Sequence, residues 1–201
     1  MKLAAVLGLA AIAAGIVVER QTANGVVLPE NARVVTFKVW CYTAGQKALT
    51  GQPGVLDIVK SVRSRPFGEW NVVYFDPSKT DAAALLQRLR ENGCKNATRV
   101  ETPAVELDGV TIMLSNPIVV PGDVVQLEAT PSGSRTATIH LVVPDGWRTV
   151  SPIELGHGNV ASIQTPADAK SGKCVLTVRI AGNDQTAREA QLEVELVERV
   201  K

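Results

Sequence analysis

Aromatic side chains make up only 4% of these 201 residues, and the formal net charge is +1. Binding to single-stranded nucleic acid needs aromatic faces on which bases stack, and binding to phosphates needs clustered Lys and Arg. The shortage of both argues against a nucleic-acid partner. Histidine is scarcer still, with two residues, His140 and His157. His140 is out of phase with Ile139 and Leu141, and His157 stands in the loop Gly156-His157-Gly158, so neither follows a metal-ligand spacing. There is no His-Glu-x-x-His, no Gly-x-Ser-x-Gly, no Gly-rich phosphate loop and no Cys-x-x-Cys. With Asp and Glu scattered, the chain is expected to be no enzyme. Cysteine is limited to Cys41, Cys94 and Cys174. In an oxidising compartment that odd number leaves at least one thiol unpaired or paired between chains.

Apolar residues are plentiful, at 45%. The first of them form a run, Leu3 to Val18, preceded by the basic start Met1-Lys2 and closed by Glu19-Arg20. A charged start, an apolar stretch and small residues near its end make a secretory signal. Ala11-Ile12-Ala13 is a small-x-small cleavage site, and Gln21-Thr22-Ala23 a weaker one. Residues 1–23 are therefore expected to be a signal peptide or an N-terminal anchor. The run is shorter than the roughly 20 residues that span a bilayer. The protein is expected to be exported: periplasmic, extracellular, or anchored by its N-terminus facing outside.

Two stretches with different periodicity follow. In residues 33–100, Val35, Phe37 and Val39 alternate with Thr36 and Lys38, which predicts a half-buried strand. A short helical stretch around Ala44 to Leu49 ends at Gly51-Gln52-Pro53-Gly54. Val55 to Val62 reads as a second strand, and Glu69 to Phe75 as a third, with Trp70, Val72 and Tyr74 on one face and Val73 and Phe75 on the other. Ala82, Leu85, Leu86 and Leu89 then recur at helical spacing. Thr80 is the expected cap, Asp81 sits in the first turn and Asn92-Gly93 stops the helix. Ala97 to Val100 completes a β-α-β-β-α-β order, the split βαβ unit of ferredoxin-like domains. After a linker near residues 101–108 the helix signals vanish. Residues 109–201 carry alternating runs at Val125-Ala129, Ala137-Val143, Cys174-Ile180 and Ala190-Leu196, separated by Pro- and Gly-rich turns, the pattern of an antiparallel sandwich. Cys174 is in phase with Leu176, Val178 and Ile180 and is expected to be a small core residue. The expected fold is an α+β ferredoxin-like βαββαβ domain followed by an all-β Ig-like sandwich.

Three pieces of residues 35–97 resemble the heavy-metal-associated domain of copper chaperones and periplasmic mercury-binding proteins. They are Lys47-Ala48-Leu49 with Pro53-Gly54-Val55, the stretch Val72 to Thr80 with its Asp76-Pro77, and Leu85-Leu86 through Gly93-Cys94. The family holds soft metal with two Cys in Met-x-Cys-x-x-Cys before its first helix. Here that loop reads Lys38-Val39-Trp40-Cys41-Tyr42-Thr43-Ala44. Counted from one side Cys41 is the family's second Cys, with Lys38 at the first; counted from the other it is the first, with Ala44 at the second. The resemblance thus implies a lost or altered metal site. The residue after the helix 2 glycine lies near the metal loop in this family, and here it is Cys94. The resemblance implies that Cys41 and Cys94 face each other, to ligate copper, zinc or mercury or to close a disulfide; the alternative is one buried Cys and one unrelated surface Cys. Cys41 would also stand near a helix N-terminus, which favours thiolate. Residues 110–199 resemble bacterial Ig-like accessory modules of glycosidases and cell-surface proteins, on Pro121-Gly122-Asp123, Val143-Pro144-Asp145-Gly146-Trp147 and Pro166-Ala167-Asp168-Ala169. Trp70 and Trp147 are expected in the core, and Trp40 on a loop beside Cys41.

The expected function is an exported noncatalytic binding protein with a degenerate heavy-metal-associated domain. Alternatives are soft-metal binding through Cys41 and Cys94, or a cell-envelope scaffold that meets another protein.

Overall fold

Strand alternation in the first sheet puts apolar side chains on both of its faces, and this decides the architecture. A computed structural model describes residues 19–62, 69–100, 104–132, 138–150, 153–154, 160–181 and 187–200. The apolar run Leu3 to Val18, residues 101–103 of the linker and His157 lie outside them. The chain begins β1 (Arg33–Val39), α1 (Tyr42–Leu49), β2 (Val55–Val62), β3 (Glu69–Phe75), α2 (Ala82–Glu91) and β4 (Thr98–Arg99). The strands β5 (Val105–Leu107), β6 (Val110–Leu114), β7 (Ile118–Val119), β8 (Val124–Pro131) and β9 (Thr138–Val142) follow. The last are β10 (Arg148–Thr149), β11 (Ile153–Glu154), β12 (Val160–Gln164), β13 (Gly172–Ala181), β14 (Ala187–Leu196) and β15 (Glu198–Arg199).

These strands form three sheets, ordered β15-β2-β3-β1-β4, β10-β12-β8-β6-β5 and β11-β9-β13-β14-β7. In the first sheet, Val35, Phe37, Val39, Ile58, Val73 and Phe75 face Ala48 and Leu49 of α1 and Leu85 and Leu89 of α2. The opposite face carries Val34, Val59, Trp70, Val72 and Tyr74, and it is just as dry. It packs on Ile118, Val120, Val124 and Val197 from the second half of the chain and on Leu28 ahead of β1. The other two sheets enclose a third core, with Ile112, Leu127, Ile163, Leu176, Val178 and Val194 among its residues. Their partnership is that of a β-sandwich, with one parallel pair, β14 on β7.

The expected α+β ferredoxin-like βαββαβ domain followed by an Ig-like sandwich is therefore corrected. Fifteen strands and two helices among the described residues make a β-rich body of three sheets. The first sheet takes its fifth strand, β15, from the far end of the chain, at Glu198↔Val62 and Arg199↔Ser61. Its back face is a shared core rather than a solvated surface. The physical reason is visible in β1: Thr36 was expected on a wet face, yet it is fully buried and its hydroxyl donates to the Ile118 carbonyl at 3.5 Å. Gln126 of β8 adds a polar seam. Its side chain accepts from Val34 N at 2.9 Å and donates to the Ala32 carbonyl at 2.6 Å. Buried backbone groups need such partners, and here one side chain from the sandwich supplies two of them.

The best helix also corrects its expected cap. Asp81, not Thr80, is the N-cap of α2 and accepts from Ala84 N at 2.8 Å. Gly93 then takes φ +100°, the left-handed turn that ends the helix without a Cβ penalty.

Candidate functional site

The end of the first sheet where β1 runs into α1 carries Cys41, with Cys94 at the end of α2. Cys41 is the N-cap residue of α1, with extended backbone and no side-chain capping bond. Two side chains of β3 fix this corner instead. Glu69 Oε2 accepts from Tyr42 N at 2.7 Å, and Asn71 Nδ2 donates to the Tyr42 carbonyl at 3.1 Å. A carboxylate at a helix N-terminus is favoured by the helix dipole, so Glu69 takes the place a capping side chain would fill. Lys60 of β2 adds a cation over the Tyr42 ring, 5.5 Å from its centroid. Cys94 follows Gly93 at the end of α2. Its backbone is held at both ends: Cys94 N donates to the Leu89 carbonyl at 2.9 Å, and its own carbonyl accepts from Ala97 N at 2.8 Å.

Cys41 is half-buried, Cys94 is buried, and neither is bonded to another sulfur. Burial pushes the Cys94 thiol up, and the charge of Cys41 pushes it further. The fold brings these two stretches of chain together, although α1, β2, β3 and α2 separate them in sequence. Beside them Trp40 stands 89% exposed. With Gly93, Cys94, Lys95 and Asn96 it lines an open cavity of about 400 Å³. Cys94 thus lines the cavity itself, and Cys41 follows another wall residue, Trp40, in the chain.

Gly45 reports how closely α1 is seated. A Cβ there would lie 2.0 Å from Asn71 Oδ1 and 3.3 Å from a Val39 methyl. Gly45→Ala is expected to destabilise by about 1–3 kcal/mol, the usual cost of an overpacked contact. It should also lower the selectivity with which Cys41 and Cys94 react together, because α1 and its cap must move. Thermal unfolding alongside alkylation rates of the two thiols checks this.

The remaining sequence-based candidates separate from the site. Cys174 lies in β13 opposite Val194 and packs against the sandwich core, where burial pushes its thiol up. His140 is exposed on β9, paired with Arg179 of β13. Trp70 and Trp147 are core residues.

A second polar cluster was not foreseen. Asp123, in the turn before β8, is fully buried. Its Oδ1 accepts from Tyr74 Oη and, at 3.2 Å, from Ala23 N, and its Oδ2 is buried without a partner. Burial pushes this carboxyl up to about 7, the Tyr74 hydrogen bond opposing and nearby Asp57 adding to the rise. Tyr74 is raised well above its ordinary value by burial and then by Asp123. One signal was available: Asp57 interrupts the apolar stretch Val55 to Val59 of the second strand, and a charge in such a run asks for a partner.

No protein-family model matches the chain, and no curated protein matches it. Among the described residues no helix is long and apolar enough to cross a membrane.

Proposed function

We propose that this protein is an exported, noncatalytic binding protein whose site is the Cys41–Cys94 thiol pair, and that it takes one soft cation as cargo. The observation that carries the reading is the cavity that Cys94 lines together with Trp40, the residue before Cys41. The resemblance of residues 35–97 to heavy-metal-associated domains points the same way, with Cys94 replacing the family's missing second thiol. Two thiolates suit a soft ion of low coordination number such as Cu(I) or Hg(II). Zinc takes four ligands, and among the described residues no group of three or more His, Cys, Asp or Glu is gathered. Both thiols must lose their protons on binding, so affinity falls as pH drops.

Export rests on Met1-Lys2 and the apolar run Leu3 to Val18. The residues after that run favour cleavage upstream of Arg20, or a retained anchor, over a cut at Ala23. Arg20 donates to Ser162 Oγ at 3.0 Å and Gln21 N to Gln164 Oε1 at 3.1 Å. A cut at Ala23 would remove both.

The expected result is one equivalent of Cu(I) taken up by the reduced protein in competition with a chromogenic chelator. Cys174→Ser should keep this uptake, while Cys41→Ser and Cys94→Ser should each lose it. Uptake that survives Cys94→Ser would refute the thiol-pair site. One observation favours a second reading, a cell-envelope module that meets another protein: Trp40 is the most exposed large apolar side chain on the described surface. Under that reading Trp40→Ala removes binding to the cell envelope and the Cys variants do not.

A further inference from the structure

Residues 20–28 lie as a strap across the junction of the two halves. The strap is a tight hairpin with a β-bridge between Gln21 and Val27 and a turn at Gly25, whose φ is +82°. Thr22 N donates to the Val26 carbonyl at 3.0 Å and Leu28 N to the Arg20 carbonyl at 2.8 Å. Its attachment is mostly polar. Thr22 Oγ1 donates to Asp57 Oδ2, and Asn24 Nδ2 donates to Asp57 Oδ1 at 2.9 Å. Arg199 of β15 donates to the Ala23 carbonyl at 2.6 Å and to Asn24 Oδ1 at 2.8 Å. Of the strap's large apolar side chains only Leu28 is buried; Val26 and Val27 are exposed. A segment held by hydrogen bonds with so little apolar burial opens at lower free energy than the cores beneath it.

The contact at the centre of the strap is Ala23 N on Asp123. We propose that residues 20–28 are a pH-responsive strap, latched by the buried carboxyl of Asp123, docked while that carboxyl holds its proton and loosened when it ionises. The groups that act on Asp123 are Tyr74 from β3, the Ala23 and Val124 N–H groups, and Asp57 from β2. Asp57 repels an ionised Asp123, while the Arg20 and Arg199 side chains are engaged with the Pro29 and Ala23 carbonyls, Asn24 and Ser162. The buried Oδ2 has no donor to receive. Lifting the strap takes Ala23 off Asp123 and brings water to the carboxylate; relief of burial, the largest effect, outweighs the lost Ala23 N–H bond, which favours the charged form, so the pKa falls. Ionisation and opening therefore favour each other. Glu19, Gln21, Thr22, Ala23 and Gly25 also form one wall of an open cavity of about 1000 Å³, whose other side includes Arg148 and Gln164. Opening the strap widens that cavity.

The test is amide hydrogen exchange from pH 4.5 to 8.5, each rate divided by its intrinsic value. Protection of the Ala23 and Leu28 amides should fall by up to about tenfold per pH unit as pH rises toward 7, then level off. At every pH it should stay well below the protection of the Leu176 and Val194 amides, which marks local opening. In Asp123→Asn the strap's protection should be flat with pH. Should that variant not fold, Tyr74→Phe serves: it removes a donor to the carboxylate, so the levelling point must move to higher pH. A flat wild-type profile, a fall that persists in Asp123→Asn, a levelling point unmoved in Tyr74→Phe, or strap amides as protected as those of β13 and β14 would each overturn the proposal.

Discussion

Residues 33–100 expressed alone are expected not to give a cooperative unfolding transition. The piece would carry Val34, Val59, Trp70, Val72 and Tyr74 on one face of its sheet, all of them buried in the full chain. Burying such a side chain stabilises by about 1.5–3 kcal/mol. Five of them sum to something on the order of 10 kcal/mol, comparable to the whole stability of an ordinary domain. The piece also loses the Gln126 side chain that serves Val34 N, and the β15 edge that pairs with β2. Urea titration followed by Trp fluorescence compares the piece with the full chain. A transition in the piece at the full chain's midpoint would show that the shared core contributes little.

The second large effect is on pH. Asp123 holds its proton more tightly folded, at about 7 against an ordinary carboxyl of 3.8. Below that ordinary value both states are protonated and the group is neutral toward stability. As pH rises toward 7 the unfolded chain releases the proton and the folded chain keeps it, so stability falls across that window and levels above it. The full drop is on the order of 4 kcal/mol, an upper figure because the strap and water relax around the charge. Asp123→Asn keeps an oxygen for Tyr74 Oη and Ala23 N and has no charge to bury. Its stability should be level across the same window. Urea midpoints at pH 4.5, 6 and 8 for both proteins measure the difference. A wild-type midpoint that does not fall over this range would remove Asp123 as its cause.

Much of the local structure was legible because its signals are short-range. The apolar spacing of α2, the alternation in β3, β8, β13 and β14 and the turn at Asn92-Gly93 all follow from side-chain period and backbone freedom. The assembly was not legible for three physical reasons. A polar side chain such as Thr36 read as solvent-facing, yet it is buried and bonds to Ile118 O. β15 is two charged residues, Glu198 and Arg199, and carries no apolar pattern to announce that it closes a sheet. Several of the strap's bonds join residues more than a hundred positions apart, as in Arg20 to Ser162. Of the candidate site, Cys41 and Trp40 stood out in the sequence itself. Cys94 entered only through a family resemblance, since nothing local to Gly93-Cys94 names its neighbour.

The most direct measurement is alkylation mapping of the reduced full chain, with and without one equivalent of Cu(I). The thiol-pair account expects the ion to slow modification of Cys41 and Cys94 together and to leave Cys174 at its metal-free rate. Equal slowing at all three cysteines, or at Cys41 without Cys94, would contradict it.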